Sequence, residues 1–203
     1  MKYTRNWLKD QIKSGKTFTY FGFWGQSSES MQEQAMSNFY RVQFEAPLVH
    51  GDNKGSMATF SCSEQYFMYL KAVVFNDLPI IEKLLINNKD GNYYKQLGRK
   101  VGDVSINPSA KPYDDALWDS VRDKAMYKAL YFKFKNPKLK KWLLDTEDSI
   151  IIEASPFDRI WGVGLGKQTR QGKYDTTEQW EDVYAWKGDN KLGFLLMEIR
   201  DTL

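Results

Sequence analysis

The sequence predicts a mainly helical α+β fold made as a single domain over residues 1–203. Three observations carry this expectation. Apolar residues recur at helical spacing through most of the chain, β-branched and aromatic runs are few and short, and no composition shift, repeat or low-complexity stretch marks a linker. A chain of 203 residues fits one domain and buries roughly 70% of its extended surface, so it needs neither disulfides nor a metal to fold.

The elements follow in order. Residues 1–14 read as a short amphipathic helix, with Trp7, Leu8 and Ile12 on one face. Residues 17–24 are aromatic and β-branched and read as a strand. The polar stretch 25–35 reads as a loop, and a strand is expected at 42–44. The turn cluster Gly51, Asp52, Asn53 and Gly55 lies in 47–55, and residues 56–61 read as the second strand of a hairpin. Ser63 is placed to cap a helix carrying Glu64, Phe67, Lys71 and Val74. Short helices are expected at 79–87 and 93–99, and a loop with two prolines at 107–113. Asp114 or Asp115 then caps a long helix running to about Phe134, with Leu117, Val121, Ala125, Met126, Ala129 and Leu130 as its stripe. Asn136-Pro137 opens another helix, through Leu144. Residues 149–154 read as a buried strand, 158–166 as a Gly-rich turn and 167–188 as a polar insertion. Asn190 caps a last helix with Leu192, Leu195, Leu196, Ile199 and Leu203 on one face.

Composition narrows the function. The net charge is +3, from 29 basic and 26 acidic residues. That argues against a dedicated nucleic-acid coat, which depends on many phosphate contacts, but leaves room for a small phosphate-bearing ligand. The basic runs 133–141 and 167–173 read as solvated faces. One cysteine, Cys62, excludes an intrachain disulfide and suits a reducing compartment. With no apolar run after the basic N-terminal residues and no membrane-length apolar stretch, a cytoplasmic protein is expected. His50, in a loop, is the single histidine. With Cys62 it cannot build a typical zinc site, so no metal and no cofactor are expected. Any acid–base chemistry falls to carboxylates, lysines or tyrosines. The aromatic content of 15% fits either core packing or a pocket that stacks flat rings.

Two constellations could carry chemistry. In Ser63-Glu64-Gln65-Tyr66-Phe67, Glu64 stands in the first turn of a helix, where the dipole alone would explain a carboxylate. Lys71 follows two turns later, about 10 Å along the axis, so the pair could flank one ligand. A lysine among the rings of Tyr66, Phe67 and Tyr69 has its charged form disfavoured and gains nucleophilicity. In Asp158-Arg159-Ile160-Trp161-Gly162-Val163-Gly164, the residues lie just past a buried strand, where sites often form, and the glycines allow close backbone approach. The spacing is not a dinucleotide fingerprint, and alone it reads as a structural turn. Trp118, on a helix, reads alone as core.

Taken together and in order, these pieces resemble the NADAR superfamily, also called YbiA-like. Ser37-Asn38-Phe39-Tyr40, the Ser63–Phe67 run with Lys71-Ala72, Leu97-Gly98-Arg99, Trp118 with Val121, Met126 and Ala129, Phe132-Lys133-Phe134, the Asp158–Gly164 run, and Asn190-Lys191-Leu192-Gly193 with Leu195-Leu196-Met197 each match a family element. The match runs from about Phe21 to the C-terminus. Three departures stand out: residues 1–18 as an N-terminal helical extension, the long 25–35 loop, and the 167–188 insertion, whose Trp180, Tyr184 and Trp186 could stack a base or pack down.

The resemblance implies an N-glycosidase that splits the bond between a base nitrogen and C1 of a phosphorylated ribose. One branch resembles enzymes that free guanine bases of ADP-ribose, sometimes beside a base-modifying toxin, which brings a toxin–antitoxin or defence context into view. Another resembles house-cleaning enzymes of riboflavin intermediates. The expected partner is accordingly an ADP-ribosylated nucleotide or nucleic-acid base, or a phosphoribosyl small molecule. The first branch is expected, on the ground that the inserted aromatics offer more room than a pyrimidine needs. A non-catalytic ADP-ribose-binding module and a protein-binding partner are the competing classes. The implied catalytic residues are Glu64, Lys71 and Asp158, and the implied substrate-binding residues are Asn38, Phe39, Arg99, Trp118, Trp161 and Gly162. Lys71 either holds a phosphate or attacks C1 of an opened ribose.

Overall fold

The computed structural model describes residues 1–25, 28, 30–166 and 180–203. Among these it holds eight α-helices and four short strands, so the mainly helical α+β character is borne out. The chain forms two compact units, one of residues 1–37 with 137–203, the other of residues 38–136.

The first unit is assembled on two parallel strands, β1 (Tyr20–Phe23) and β4 (Ile150–Glu153), paired from Tyr20↔Ile150 to Phe23↔Glu153. Ile150, Ile151 and Ile152 are all buried, as their unbroken apolar run requires of a parallel strand covered on both faces. Helix α8 (Lys191–Arg200) lies on β4. A side chain at Gly193 would collide with the Ile151 carbonyl, so glycine sets that close approach. Asn190 precedes α8, but its side chain does not cap it. In the left-handed region at φ 55°, its amide donates to Ile151 O (2.9 Å) and its carbonyl accepts from Glu153 N–H (3.0 Å), stitching the strand edge. Satisfying backbone groups of β4 outweighs the side-chain cap the sequence suggested.

The same unit holds α1 (Arg5–Lys13), α2 (Met31–Met36) and α7 (Pro137–Leu144). Helix α2 corrects the loop expected across 25–35. Ser30 Oγ accepts from Glu33 N–H at 3.1 Å, and this Ser-x-x-Glu start is a capping pattern hidden by polar composition. Ala35 and Met36 supply the buried anchor. The N-terminal extension and the end of the insertion meet: the Arg5 guanidinium donates to the carbonyls of Val183 and Trp186, and Lys9 Nζ lies 5.4 Å from the Tyr184 ring centre. Trp180, Val183 and Trp186 are buried, with Trp180 covering Gly22 of β1. These two tryptophans therefore pack down; the room they were expected to give a base is not theirs to give. The remaining part of the insertion, residues 167–179, lies outside the described residues.

The second unit is helical around α3 (Ser63–Val74), which packs against α4 (Leu78–Leu84), α5 (Gly91–Gly98) and α6 (Asp115–Lys133). A Cβ at Gly98 would meet the Met68 side chain of α3, so glycine sets the close approach of α5 to α3. An antiparallel hairpin, β2 (Phe44–Pro47) and β3 (Met57–Phe60), joins this core through Phe44, Ala46 and Phe60. The first strand starts two residues later than expected, because the register Phe44↔Phe60 places its alternating apolar residues inward, and Pro47 is tolerated at the strand end. Asp114 caps α6 through Leu117 N–H (3.0 Å) as expected. Cys62, not Ser63, precedes α3, and Ser63 is its first helical residue.

One basic position departs from its expected solvated face. Lys133 is fully buried, with its ammonium 5.8 Å from the Tyr40 ring and 5.1 Å from the Phe134 ring. Burial pushes its pKa down to about 7, with the Cys62 thiol opposing. Burial likewise raises the Cys62 pKa to about 11. Among the described residues, no helix is long and apolar enough to cross a membrane.

Candidate active site

The start of α3 is fixed from outside the helix. The Asn38 carbonyl accepts from Glu64 N–H (3.1 Å) and from Ser63 Oγ (3.3 Å), and Asn38 Oδ1 accepts from Ser63 Oγ (3.2 Å). The Asn38 amide in turn donates to Met126 Sδ on α6 (3.2 Å). Asn38 thus stands in for the missing side-chain cap and supplies an acceptor to Glu64 N–H, which has no partner within the helix. Gln65 braces the other side. Its Oε1 accepts from Ser61 N–H and Oγ (2.7 and 2.8 Å), and its Nε2 donates to Leu84 O and Asn87 Oδ1 (2.8 and 3.0 Å). Between these braces Glu64 is 5% exposed, a carboxylate held in the positive end of a helix dipole.

Lys71 shares this neighbourhood. Its Nζ donates to Gly98 O (2.8 Å) and lies 4.5 Å from the Tyr113 ring and 5.6 Å from the Trp118 ring. Burial lowers its pKa, while the negative charges of Asp115 and Glu64 act against that shift. Carboxylate and amine therefore sense one another across the two turns of α3. Trp118 is 7% exposed and tilts against Phe67, ring centres 5.3 Å apart. The second unit so brings together Asn38, Glu64, Lys71 and Trp118, with Tyr113 and the Gly98 carbonyl as members the sequence did not point to. A backbone acceptor leaves no mark on composition, and Tyr113 sits in a Pro-rich loop without period.

Two expected residues have other surroundings. The Phe39 ring occupies the space that a side chain at Gly91 would need, and Lys95 Nζ is 5.5 Å from it; it seats the first turn of α5. Arg99 is exposed, its guanidinium reaching Gln96 Oε1 at 3.5 Å. It follows directly the Gly98 carbonyl that holds Lys71.

Asp158, Trp161 and Gly162 form a separate group in the first unit. Asp158 Oδ1 accepts from Ile160 N–H (2.9 Å) and Trp161 N–H (2.8 Å), and its carbonyl accepts from Gly164 N–H (3.1 Å). This is a side-chain-closed turn of the kind aspartate favours. Gly162 N-terminal neighbours and β4 leave no space for a Cβ, the nearest atom being Glu153 O at 2.8 Å. The carbonyls of Ile160, Trp161 and Gly162 accept from Lys191, Leu192 and Asn190 N–H, so the turn ties the end of β4 to the first turn of α8. Trp161 is half-buried on this frame. Among the described residues, no three His, Cys, Asp or Glu side chains converge as a metal site would need.

A buried carboxylate two helical turns from an amine of lowered proton affinity, with aromatic rings around the amine, is equipment suited to an enzyme that stabilises a cation and handles a proton. The chain belongs to the NADAR domain family, whose model matches residues 22–203. It is 36% identical to protein irg-1 of Caenorhabditis elegans over 82% of this chain and 74% of that protein. It is 32% identical to N-glycosidase R617 of Acanthamoeba polyphaga mimivirus over 92% of this chain and 97% of the viral protein. The solution structure of Escherichia coli YbiA aligns with a TM-score of 0.59 at 26% identity, covering 92% of this chain and 86% of that one. With the family goes the reaction class: the chain is an N-glycosidase, a hydrolase acting on N-glycosyl compounds.

Proposed function

We propose that this enzyme hydrolyses the bond between a base nitrogen and C1 of a phosphorylated ribose, and that its substrate is an ADP-ribosylated guanine base. The observation that carries the reading is Glu64, buried at the start of α3 and electrostatically linked to Lys71 beneath Trp118 and Tyr113. Cleavage of such a bond builds positive charge on the ribose ring. Glu64 stabilises that charge and serves as base or proton shuttle for the attacking water. Trp118 and Tyr113 supply the aromatic faces around Lys71 that suit a flat base. Asn38 positions Glu64, and Arg99 is the guanidinium assigned to a phosphate.

Lys71 is the residue whose role divides. Burial favours its neutral amine, which supports attack on C1 of an opened ribose. Its place over two ring faces would equally suit a cation that holds phosphate. Borohydride trapping separates the two: a stable adduct on Lys71 marks the nucleophile, and its absence during turnover marks the phosphate ligand. Asp158 is proposed as the second carboxylate, with Trp161 and Gly162 as substrate-binding residues of the same turn.

The test is turnover of an ADP-ribosylated guanosine, with released guanosine and ADP-ribose measured by mass spectrometry. Glu64→Gln, Lys71→Ala and Asp158→Asn should each be impaired, and wild-type rates in all three would sink the assignment. Tight binding without release would make the protein a binding module. Preference for a ribosylated pyrimidine of riboflavin synthesis would move it to the house-cleaning branch.

A further inference from the structure

Residues 183–189 form no helix or strand, and their backbone groups find partners on two sides. On one side lies the Asp158–Gly164 turn. Lys187 N–H donates to Val163 O (2.8 Å), Asp189 N–H to Arg159 O (3.0 Å) and Asn190 N–H to Gly162 O (3.1 Å). The two stretches run so close that a side chain at Gly188 would strike Gly162 O and the Arg159 backbone, and one at Gly164 would meet the Lys187 side chain. On the other side lies α1. Arg5 Nε and Nη2 donate to Val183 O (3.3 and 3.2 Å), and Nη2 also donates to Trp186 O (2.5 Å). Helix α1 is itself anchored: Leu8 is fully buried, Thr4 Oγ1 accepts from Trp7 N–H (3.0 Å), and Lys2 and Tyr3 bind Asp201 at the end of α8 (2.6 and 2.8 Å).

We infer that α1 is a positioning element for the reaction, with Arg5 fixing the Trp186–Lys187 peptide and, through it, the turn that carries Asp158 and Trp161. The carbonyl that Arg5 holds and the N–H that Val163 holds belong to one peptide unit. That unit is planar and trans, so the two groups point opposite ways and rotate together. Release of the Trp186 carbonyl frees the plane to rotate, and rotation withdraws the Lys187 N–H from Val163. The guanidinium also polarises the amide and so strengthens its bond to Val163. Arginine suits this task, because its fork reaches two carbonyls at once where an ammonium is a single point. Val163 stands next to Gly164, whose N–H donates to Asp158 O (3.1 Å), so slack at Val163 passes into the Asp158 turn. Rate is sensitive to such shifts, by about a hundredfold for an ångström at the reacting groups. The inference rests on the proposed role of this turn in the reaction. Helix α1 lies ahead of residue 22, where the family match begins, so it is an addition to the family domain.

The experiment uses the full chain and ADP-ribosylated guanosine. It measures kcat and KM for wild type, Arg5→Ala, Asp158→Asn and the double variant, with amide hydrogen exchange followed alongside. Arg5→Ala should lower kcat about tenfold and change KM by less. The same substitution should cost nothing further once Asp158 is Asn, because both act through one turn. In Arg5→Ala the Lys187 and Asn190 amides should exchange faster, with those of α3 unchanged. Arg5→Lys keeps the charge without the fork and should fall between wild type and Arg5→Ala in both readings; it carries the comparison if Arg5→Ala does not fold. With Asp158→Asn slowed, three results overturn the inference and leave the glycosidase reading intact: Arg5→Ala at the wild-type rate, an equal loss from Arg5→Ala in both backgrounds, or unchanged exchange at Lys187. Asp158→Asn at the wild-type rate overturns instead the catalytic reading of the turn, on which the inference stands.

Discussion

Two carboxylate motifs, Glu64 at the start of α3 and Asp158 at the start of a turn, look alike in sequence, and their surroundings differ in kind. At α3 the backbone does the holding: Asn38 and Gln65 supply the acceptors and donors that fix the helix start, and the Glu64 side chain is buried two turns from a lysine. At 158–164 the side chain itself does the holding, with both backbone bonds landing on Asp158 Oδ1. Glu64 is buried in the first turn of a helix, where its carboxylate meets the positive end of the dipole. A carboxylate that closes its own turn has a structural duty to set against any catalytic one.

This difference can be broken by mutation. The largest effect is expected for Glu64→Gln, which keeps size and polarity but removes the charge; loss of about a thousandfold in kcat is expected, within the range for a group acting in acid–base or charge stabilisation, with the melting temperature nearly unchanged. Asp158→Asn sharpens the comparison, because asparagine retains an acceptor for Ile160 and Trp161 N–H. A fall of about a hundredfold in kcat with intact stability assigns Asp158 to the reaction; unchanged kcat assigns it to the turn alone. Asp158→Ala removes both bonds and should cost about 1–2 kcal/mol in denaturant unfolding, whatever the catalytic outcome.

A finer contrast lies between two buried lysines. Burial lowers the Lys71 pKa against the pull of nearby carboxylates, and burial takes Lys133 down to about 7. Below pH 7 Lys133 is charged in both folded and unfolded chains, and the fold bears the full burial cost. Between pH 7 and the unfolded value near 10.5, the unfolded chain binds a proton that the folded chain has released, so this group makes stability rise with pH. The difference in unfolding free energy between wild type and Lys133→Met should therefore shift towards wild type from pH 7 to pH 9, by up to about 1.4 kcal/mol per unit. A flat difference would contradict the depressed value.

Much of this was legible from local pattern. The buried run 150–152, the Asp114 cap and the apolar face of α8 follow from period and capping chemistry, and they stand where expected. What was not legible depends on partners far along the chain. Asn190 stands at the N-cap of α8 as expected, but its side chain serves β4 because a parallel strand had backbone groups to satisfy. Trp180 and Trp186 fill space over β1 instead of facing a base, and Lys133 turns inward from a basic run because Tyr40 and Phe134 enclose it. At the site, Glu64, Lys71 and Trp118 were named from their motifs; Gly98 lies in the Leu97-Gly98-Arg99 element, but that its carbonyl accepts from Lys71 leaves no mark in a sequence, and Tyr113 carries no motif at all.

The central claim is that the α3 carboxylate drives cleavage of a base–ribose bond. Its most direct test is a single-turnover measurement of guanosine released from ADP-ribosylated guanosine by wild type and by Glu64→Gln under the same conditions. Stoichiometric release of guanosine and ADP-ribose by wild type, with the Glu64→Gln rate lower by about three orders of magnitude, is the expected result. Equal release by both proteins, or none by wild type, would contradict it.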